Sequence, residues 1–192
     1  MDSINSLVAY FKENSTLKPD EIELVCSYFH SEFLNKEDRL LMEGDRYQKI
    51  VFVVKGILRV FVIDRDGEEV VKNFIESKDF FTDIESFERN LPAVINVSAV
   101  TECTLLTLSK SDAELLINQL PQWAYLIKMG TMQAMSNMIR NQNFLRMGNS
   151  TDQYRHFVKC FPALAQQVPL KYIASYLRIT QSSLSRIRKQ GW

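Results

Sequence analysis

The residue pattern of this 192-residue chain changes at Ser109, and that change limits the possible folds to a small set. From Phe33 to Leu108, short runs rich in Val, Ile, Phe and Thr alternate with turn residues, with no helical pattern between them. Many short strands at even spacing predict an antiparallel sandwich, roll or barrel. We predict strands over Ile50–Lys55, Ile57–Ile63, Glu69–Ile75, Val94–Val100 and Thr104–Leu108. The Asp66-Gly67 pair predicts a hairpin between the second and third of these strands, and the last two are predicted to pair with each other.

Helical patterns occupy both ends of the chain. We predict helices over Leu7–Phe11, Leu17–Phe29, Ser111–Gln119, Pro121 to about Leu145, and Thr151–Phe161. Ser109 or Ser111 can cap the third of these helices, and Pro121 suits the first turn of the fourth. Gly148 and Asn149 are expected to end that long helix.

The long helix carries a seam of residues spaced alternately by four and three positions, which is typical of paired helices. The seam consists of Ile127, Thr131, Ala134, Met138, Asn141 and Leu145. Five of the seven methionines lie between Met129 and Met147 and add a soft apolar surface beside it. This pattern favours a homodimer, and the alternative is that the helix only covers the strand domain.

The formal net charge of zero hides a strong segregation of charge along the chain. Residues 1–114 hold 22 of the 23 acidic residues and 13 basic ones, a formal charge of −9. Residues 115–192 hold ten basic residues and a single acid, Asp152, a formal charge of +9. Such an asymmetry suggests that the basic part meets nucleic acid or an anionic membrane.

The segment Val168–Lys189 has the pattern of a helix-turn-helix. The inner faces of its two helices are formed by Ile173, Ala174 and Leu177 and by Leu184 and Ile187. Ala174 is small where the helices must approach, Ile179 can fill the angle between them, and Thr180 is a natural N-cap for the second helix. The alternative is a solvated basic hairpin that closes the fold without a partner.

In a helix-turn-helix, the second helix enters the major groove and presents its N-terminal side chains to base edges. The candidates for base reading are Gln181, Ser182, Ser183 and Arg186. Arg186 can donate two hydrogen bonds to guanine O6 and N7, and Gln181 can pair with adenine. The candidates for phosphate contact are Lys171, Thr180, Arg188 and Lys189, with Arg178 beside them.

With these residues in view, nearly the whole chain resembles the Crp/Fnr family of bacterial transcription regulators. The roll carries matching residues at Leu40–Asp45, Phe52–Gly56 and Lys78–Phe81, and the C-terminal part matches at Tyr172–Leu177 and Ser183–Ile187. The C-terminal stretch looks like that of the short, wingless members found in Bacteroidetes-type bacteria, because the chain ends almost directly after the second helix. The resemblance implies a cyclic-nucleotide-binding-type β-roll (a double-stranded β-helix or jelly roll), a long dimer helix and a DNA-binding helix-turn-helix.

The chain departs from the family at the turn of the helix-turn-helix. The family usually has Gly where this chain has Arg178. The resemblance therefore suggests a left-handed conformation at Arg178, which costs a non-glycine residue about 1 kcal/mol.

The chain also departs from the family's phosphate-binding cassette. Members that bind cyclic AMP have Gly-Glu-Leu after the Asp-Phe pair and later an Arg followed by Ser or Thr. Matching on Asp79-Phe80 puts Thr82, Asp83 and Ile84 at the first motif, and counting back from Leu108-Ser109 puts Ala93 and Val94 at the second. A cyclic phosphate would thus lack its countercharge, a loss worth several kcal/mol in a partly dry pocket.

Three interpretations of the effector pocket follow. In the first, which we favour, the roll binds no nucleotide and is either structural or takes a different effector. In the second, the Arg89 side chain moves into the pocket and replaces the missing cation. In the third, an uncharged small molecule occupies the pocket. We therefore expect no cofactor, and cyclic AMP in particular is not expected.

Other functional classes find little support in the sequence. A metal-dependent cupin enzyme needs several histidines on strands, whereas His30 and His156 are the only two and both are predicted on helices outside the roll. Three scattered cysteines, Cys26, Cys103 and Cys160, predict buried reduced thiols rather than disulfides, a metal site or an iron–sulfur sensor. A ligand-binding module with weak or no DNA binding is the alternative that stays open.

These observations predict an α+β chain with a roll and its N-terminal helices over residues 1–120, a dimer helix over 121–147 and a helix-turn-helix domain over 148–192. We expect a cytoplasmic, non-enzymatic regulator, because residues 1–11 lack the pattern of a signal peptide and no long apolar run exists. The expected partners are double-stranded DNA and a second copy of the chain, with RNA polymerase and an unidentified small-molecule effector as further ones and no membrane.

Overall fold

The computed structural model describes residues 2–145 and 148–189, and in them two antiparallel sheets form a roll that is flanked by helices. The strands are β1 (His30–Leu34), β2 (Arg39–Leu41), β3 (Lys49–Lys55), β4 (Leu58–Ile63), β5 (Glu69–Ile75), β6 (Phe80–Phe81), β7 (Asn96–Ala99) and β8 (Cys103–Ser109). The helices are α1 (Asp2–Asn14), α2 (Pro19–Ser27), α3 (Ile84–Arg89), α4 (Lys110–Gln119), α5 (Gln122–Leu145), α6 (Ser150–Cys160), α7 (Pro162–Gln167), α8 (Leu170–Tyr176) and α9 (Gln181–Lys189). The predicted fold class, an antiparallel roll with helices, is confirmed.

The two sheets have the strand orders β1-β8-β3-β6 and β2-β7-β4-β5. The hairpin expected at Asp66-Gly67 is present, because β4 and β5 pair directly across it. The predicted pairing of the last two strands is wrong: β7 pairs with β2 and β4, whereas β8 pairs with β1 and β3 in the other sheet. In a roll, strands that follow each other in sequence cross between sheets, so neighbours in the chain need not be neighbours in a sheet.

Sequence patterns missed three strands and misplaced a histidine. The strands β1, β2 and β6 are short and have few fully buried side chains. His30 was expected on a helix, but it is the first residue of β1 and pairs with Thr107. It is exposed, with no second histidine on the roll, so its strand position creates no cupin-type metal site among the described residues.

Three apolar clusters hold the fold together. One fills the interior of the roll and contains Leu58, Val60 and Val97. A second lies between the β1-β8-β3-β6 sheet and helices α1, α2 and α4, where Phe52 and Leu106 are fully buried. Helix α4 starts at this sheet because the Ser109 side chain accepts a hydrogen bond from the Asp112 amide, which identifies Ser109 as the cap.

The third cluster joins the C-terminal helices to the outer face of the β2-β7-β4-β5 sheet. It combines Phe61, Val71 and Phe74 of the roll with Phe157 and Tyr176 of the helices. The helix-turn-helix is therefore docked on the roll of its own chain. This contact includes the edge strand β5.

Gly56 sits at the tight connection between β3 and β4, where the backbone has φ +105°. A Cβ atom there would lie 2.5 Å from the Glu102 carbonyl oxygen and 2.6 Å from Cys103 Sγ. Only glycine fits so close an approach at that φ.

The cysteines follow the sequence expectation only in part. Cys26 and Cys103 are buried thiols, as expected, but Cys160 is exposed on α6, with Sγ 3.3 Å from His156 Nε2. Cys160 lies at the last position of its helix, outside the apolar face that buries Tyr154 and Phe157.

Within the described ranges, no helix is long and apolar enough to cross a membrane.

Candidate nucleic-acid interface

Helices α8 and α9 form a compact hairpin around a shared apolar face. Ile173, Ala174 and Leu177 are buried on one side and Leu184 and Ile187 on the other, as the sequence predicts. Ile179 packs against the same cluster from the turn. Burial, with a smaller contribution from nearby Cys160, raises the pKa of Tyr176 to about 12, so its phenol is neutral at physiological pH.

The turn between the two helices has the left-handed residue that the resemblance implied. Arg178 has φ +57°, and the following Ile179 amide donates to the Ala174 carbonyl oxygen at 3.0 Å. The Arg178 side chain points to solvent. The chain therefore makes the tight turn without glycine and carries the conformational cost at Arg178.

Thr180 caps α9 and engages two of the predicted base-reading serines. The Ser183 amide donates to Thr180 Oγ1 at 3.1 Å, which confirms Thr180 as the N-cap. The Thr180 hydroxyl also lies 2.8 Å from Ser183 Oγ and 3.0 Å from Ser182 Oγ. Ser183 is only half-exposed, so its hydroxyl serves the cap first.

The remaining base-reading candidates lie on the solvent side of α9. Gln181, Ser182 and Arg186 are exposed, and Ser182 and Arg186 share one face because they are four residues apart. The opposite face holds Leu184 and Ile187 against the core. The structure therefore places Ser182 and Arg186 together on the accessible side of α9, with Gln181 exposed at the first residue of the helix.

The candidate phosphate-contacting cations lie on α8, in the turn and at the end of α9. Lys171, Arg178, Arg188 and Lys189 are exposed, and in the described part of the chain neither they nor Arg186 form an ion pair within 4.0 Å. The Lys171 ammonium lies 4.6 Å from the centre of the Tyr172 ring. With no acid after Asp152, this end of the molecule carries uncompensated positive charge.

The long helix α5 is covered at its two ends and bare in its middle. Of the seam, Ile127 and Thr131 are half-buried near the roll, Asn141 and Leu145 are half-buried near α6, and Ala134 and Met138 are exposed. Met129, Met132, Met135 and Ile139 expose between 45% and 56% of their surface beside it. The alternative that α5 only covers the roll does not account for this uncovered middle.

The six residues of the altered cassette differ in their exposure and in their contacts. Asp83 caps α3 by accepting from the Ser86 amide at 2.9 Å, and Thr82 Oγ1 donates to the Lys49 carbonyl oxygen at 2.9 Å. Arg89 is exposed beside Glu85 at 3.9 Å, and Ile84 is exposed as well. Ala93 is buried, whereas Val94 is 67% exposed.

Side chains of the chain itself pack inside the roll. Tyr47, Phe81 and Ala93 pack in the interior cluster, and the Tyr47 and Phe81 ring centres are 6.2 Å apart. Burial raises the pKa of Tyr47, whose hydroxyl has no partner among the described residues. Two cavities between described residues lie outside the roll interior, one at the α3–α4–α5 junction and one between α5, α6 and α8.

Sequence reasoning missed the residues that join the helix-turn-helix to the roll. Arg59, Glu69 and Ser175 meet at that junction although they are far apart in sequence. One available signal was a charged residue inside the otherwise apolar run of β4, because a buried arginine needs a partner. The pattern does not say which partner that is.

Comparison with known proteins agrees with this architecture. Residues 31–119 match the family described as the cyclic nucleotide-binding domain. The chain is 26% identical over 74 residues to the cAMP-activated global transcriptional regulator Vfr of Pseudomonas aeruginosa, covering 38% of this chain and 35% of Vfr. It is 24% identical over 100 residues to the cAMP-activated global transcriptional regulator CRP of Salmonella typhimurium, covering 52% of this chain and 48% of CRP.

These sequence matches span half or less of either curated relative, and the structural similarity covers more of the chain. The solved structure of FixK2 from Bradyrhizobium japonicum superposes with a TM-score of 0.74 at 16% identity, over 84% of this chain and 83% of FixK2. That likeness includes roll and helices together. Residues 31–119 are therefore a cyclic nucleotide-binding domain, and the chain as a whole shares the fold of FixK2.

Proposed function

We propose that this chain is a transcriptional regulator that binds double-stranded DNA through α8 and α9. The observation that carries the proposal is the surface of α9, where the polar side chains of Gln181, Ser182 and Arg186 are exposed and the apolar ones are buried. A helix that only closed the fold would not need an acid-free, unpaired basic surface. The same arrangement fits a major groove, whose edges are hydrogen-bonding and whose rims are anionic.

The base-reading roles divide according to donor geometry. Arg186 offers the paired N–H groups that match guanine O6 and N7, and Gln181 offers the donor and acceptor that match adenine. Ser182 contacts a base or a phosphate, while Ser183 and Thr180 act mainly through the cap. Lys171, Arg178, Arg188 and Lys189 neutralise phosphates and hold the register.

A second copy of the chain is the partner we propose for α5. A groove of about 530 Å³ is lined in part by Ile117, Ile127 and Met132. The exposed methionines and Ile139 extend this apolar surface along α5. Pairing two α5 helices would bury this stripe and present two recognition helices about 34 Å apart, which suits a near-palindromic site. RNA polymerase is a further partner that the family resemblance alone supports.

We propose that the roll does not bind cyclic AMP in the family's usual way. Ala93 and Val94 supply no charge where the resemblance expects Arg, and Arg89 is exposed on α3. The interior is occupied by Tyr47 and Phe81. An effector of other chemistry would need a different site on the molecule or a rearranged roll.

The test is a selection of bound sequences from random duplexes, followed by affinity measurements over a range of salt concentrations. We expect a near-palindromic consensus. With four phosphate-contacting cations per protomer, the slope of log affinity against log salt should be about −7 for a dimer. An absence of binding to any duplex at low salt would contradict the proposal and support the ligand-binding module instead.

A further inference from the structure

The helix-turn-helix packs on the outer face of the β4–β5 hairpin of its own roll. The apolar part of this contact is the Phe74 ring of β5, whose centre is 5.5 Å from that of Tyr176 and 6.4 Å from that of Phe157. Phe61 and Val71 lie in the same cluster. The hairpin therefore provides an apolar surface on which both α6 and α8 pack.

Ser175 of α8 attaches to the free edge of β5. The Val71 amide donates to Ser175 Oγ at 3.0 Å, and Ser175 Oγ donates to the Glu69 carbonyl oxygen at 3.0 Å. Strand β5 is the last strand of its sheet, so these backbone groups have no strand partner on that side. The Ser175 hydroxyl thus pairs with two backbone groups that a neighbouring strand would otherwise bind.

Arg59 forms the polar centre of the same contact. Its side chain is 4% exposed, and its guanidinium carbon lies 4.1 Å from the centre of the Phe61 ring and 4.0 Å from that of Tyr172. The two terminal nitrogens of Arg59 bind the two carboxylate oxygens of Glu69. The Tyr172 hydroxyl donates to Glu37 at 3.1 Å, which ties α8 to a second point on the roll.

This docked arrangement leaves the DNA-facing side of α9 open. Gln181, Ser182 and Arg186 are exposed while α8 is held on the hairpin. The contact therefore does not block the recognition surface. It fixes the direction in which that surface points, as does the bond from Gln153 Nε2 to the Leu145 carbonyl oxygen at the end of α5.

We propose that the β4–β5 hairpin positions the helix-turn-helix, with Arg59, Tyr172 and Ser175 as positioning residues that set the half-site spacing a dimer accepts. The proposal rests on the proposed DNA-binding function. Two recognition helices read a palindrome only if both reach their half-sites at once. A helix-turn-helix held on α5 and on the hairpin has one orientation, whereas one held on α5 alone would accept several.

The test compares the wild-type chain with the double variant Tyr172→Phe/Ser175→Ala, which removes two hydrogen-bonding groups and keeps the aromatic ring over Arg59. The variant Tyr28→Phe is the matched control, because Tyr28 bonds to Gln119 away from this contact. Affinity is measured for duplexes whose half-sites are moved apart one base pair at a time, and for a single half-site.

We expect the double variant to bind a single half-site within about twofold of wild type but to lose about tenfold at the optimal spacing, so that its spacing preference flattens. Tyr28→Phe should keep the wild-type preference. An unchanged spacing preference in the double variant would overturn the proposal.

A second measurement needs no DNA. Hydrogen exchange of the Val71 amide should be faster in Ser175→Ala than in wild type, because that amide loses its acceptor. Unchanged exchange would show that the contact is not maintained in solution and would overturn the proposal. If the wild-type chain binds no duplex, the proposed function is wrong, and so is the positioning role of the β4–β5 hairpin. The hydrogen-exchange result still shows in that case whether α8 is docked on β5.

Discussion

Arg186 is the residue from which we expect the most sequence information. It is exposed on α9, one turn after Ser182, and forms no ion pair in the described part of the chain. Arg186→Ala should weaken binding to the selected site by about 1–3 kcal/mol and relax discrimination at one base pair. Fluorescence anisotropy with the consensus and its single-base variants measures both effects.

Arg188→Ala is the matched control, because it removes the same charge two residues further along α9. We expect it to weaken binding to all sequences about equally and to reduce the salt slope by about 1 per protomer. If Arg186→Ala behaves in the same way, with equal losses on consensus and random DNA, Arg186 contacts phosphate and does not read a base.

Arg178 allows a test of backbone strain in the turn. Its φ of +57° suits glycine better than any other residue. Arg178→Gly and Arg178→Ala both remove the charge, but only the glycine relieves the conformation, so we expect Arg178→Gly to be more stable by about 1 kcal/mol. Urea denaturation of the two variants measures the difference, and equal stabilities would mean that the turn carries no strain.

Residues whose roles depend on near neighbours in sequence could be predicted. Thr180 as a cap and Leu184 and Ile187 as a buried face follow from local spacing. Arg59 could not be placed in the same way, because its partners Phe61, Glu69 and Tyr172 come together only in the folded chain. The filling of the roll interior by Tyr47 and Phe81 also depends on how the two sheets face each other.

At the scale of elements, the middle of α5 gives a direct test of self-association. Met138 lies on the seam and is 41% exposed, so a charge there should not disturb the fold of one protomer. We expect Met138→Glu to shift the chain from dimer to monomer in analytical ultracentrifugation, because two buried like charges would face each other across the pair.

Gln133→Glu provides the control for this change. Gln133 is also exposed, but it lies on the side of α5 that faces away from Met138, Met135 and Ile139. This variant should stay dimeric. Dissociation by both variants would indicate a general effect of acidic charge on the helix, and dissociation by neither would contradict a dimer through this seam.

The strands show which part of the fold the sequence could specify. The β4–β5 hairpin was predictable because its turn and its pairing are local. The partners of β7 and β8 were not, because β8 pairs with β1, where His30 meets Thr107, and β7 pairs with β4. Alternation indicates that a strand exists and which face is buried, but it does not identify the neighbouring strand.

At the scale of the whole molecule, the acidic and the basic parts of the chain are packed against each other. The acidic part includes the roll, and the basic part ends in the exposed surface of α9. Docking uses the Tyr172 ring on Arg59, the Ser175 hydroxyl on β5 and the Phe74 cluster, and none of these contacts involves a cation of α9. In the DNA complex that we propose, the acidic roll would repel the DNA phosphates and α9 would attract them, so the helix-turn-helix end would approach first.

We expect the same charge distribution to make the roll a poor host for a cyclic phosphate, and the last prediction tests this. We expect cyclic AMP at millimolar concentration to leave the melting temperature unchanged, because Ala93 and Val94 supply no countercharge and Tyr47 and Phe81 pack in the interior. A ligand at 100 times its Kd would add about 2.7 kcal/mol, or roughly 5–10 °C for a chain of this size. The cAMP-activated regulator Vfr of Pseudomonas aeruginosa serves as the positive control in the same thermal scan. A saturable rise in this chain would show that the roll holds the phosphate by other residues, and Arg89→Ala would then identify whether Arg89 supplies the charge.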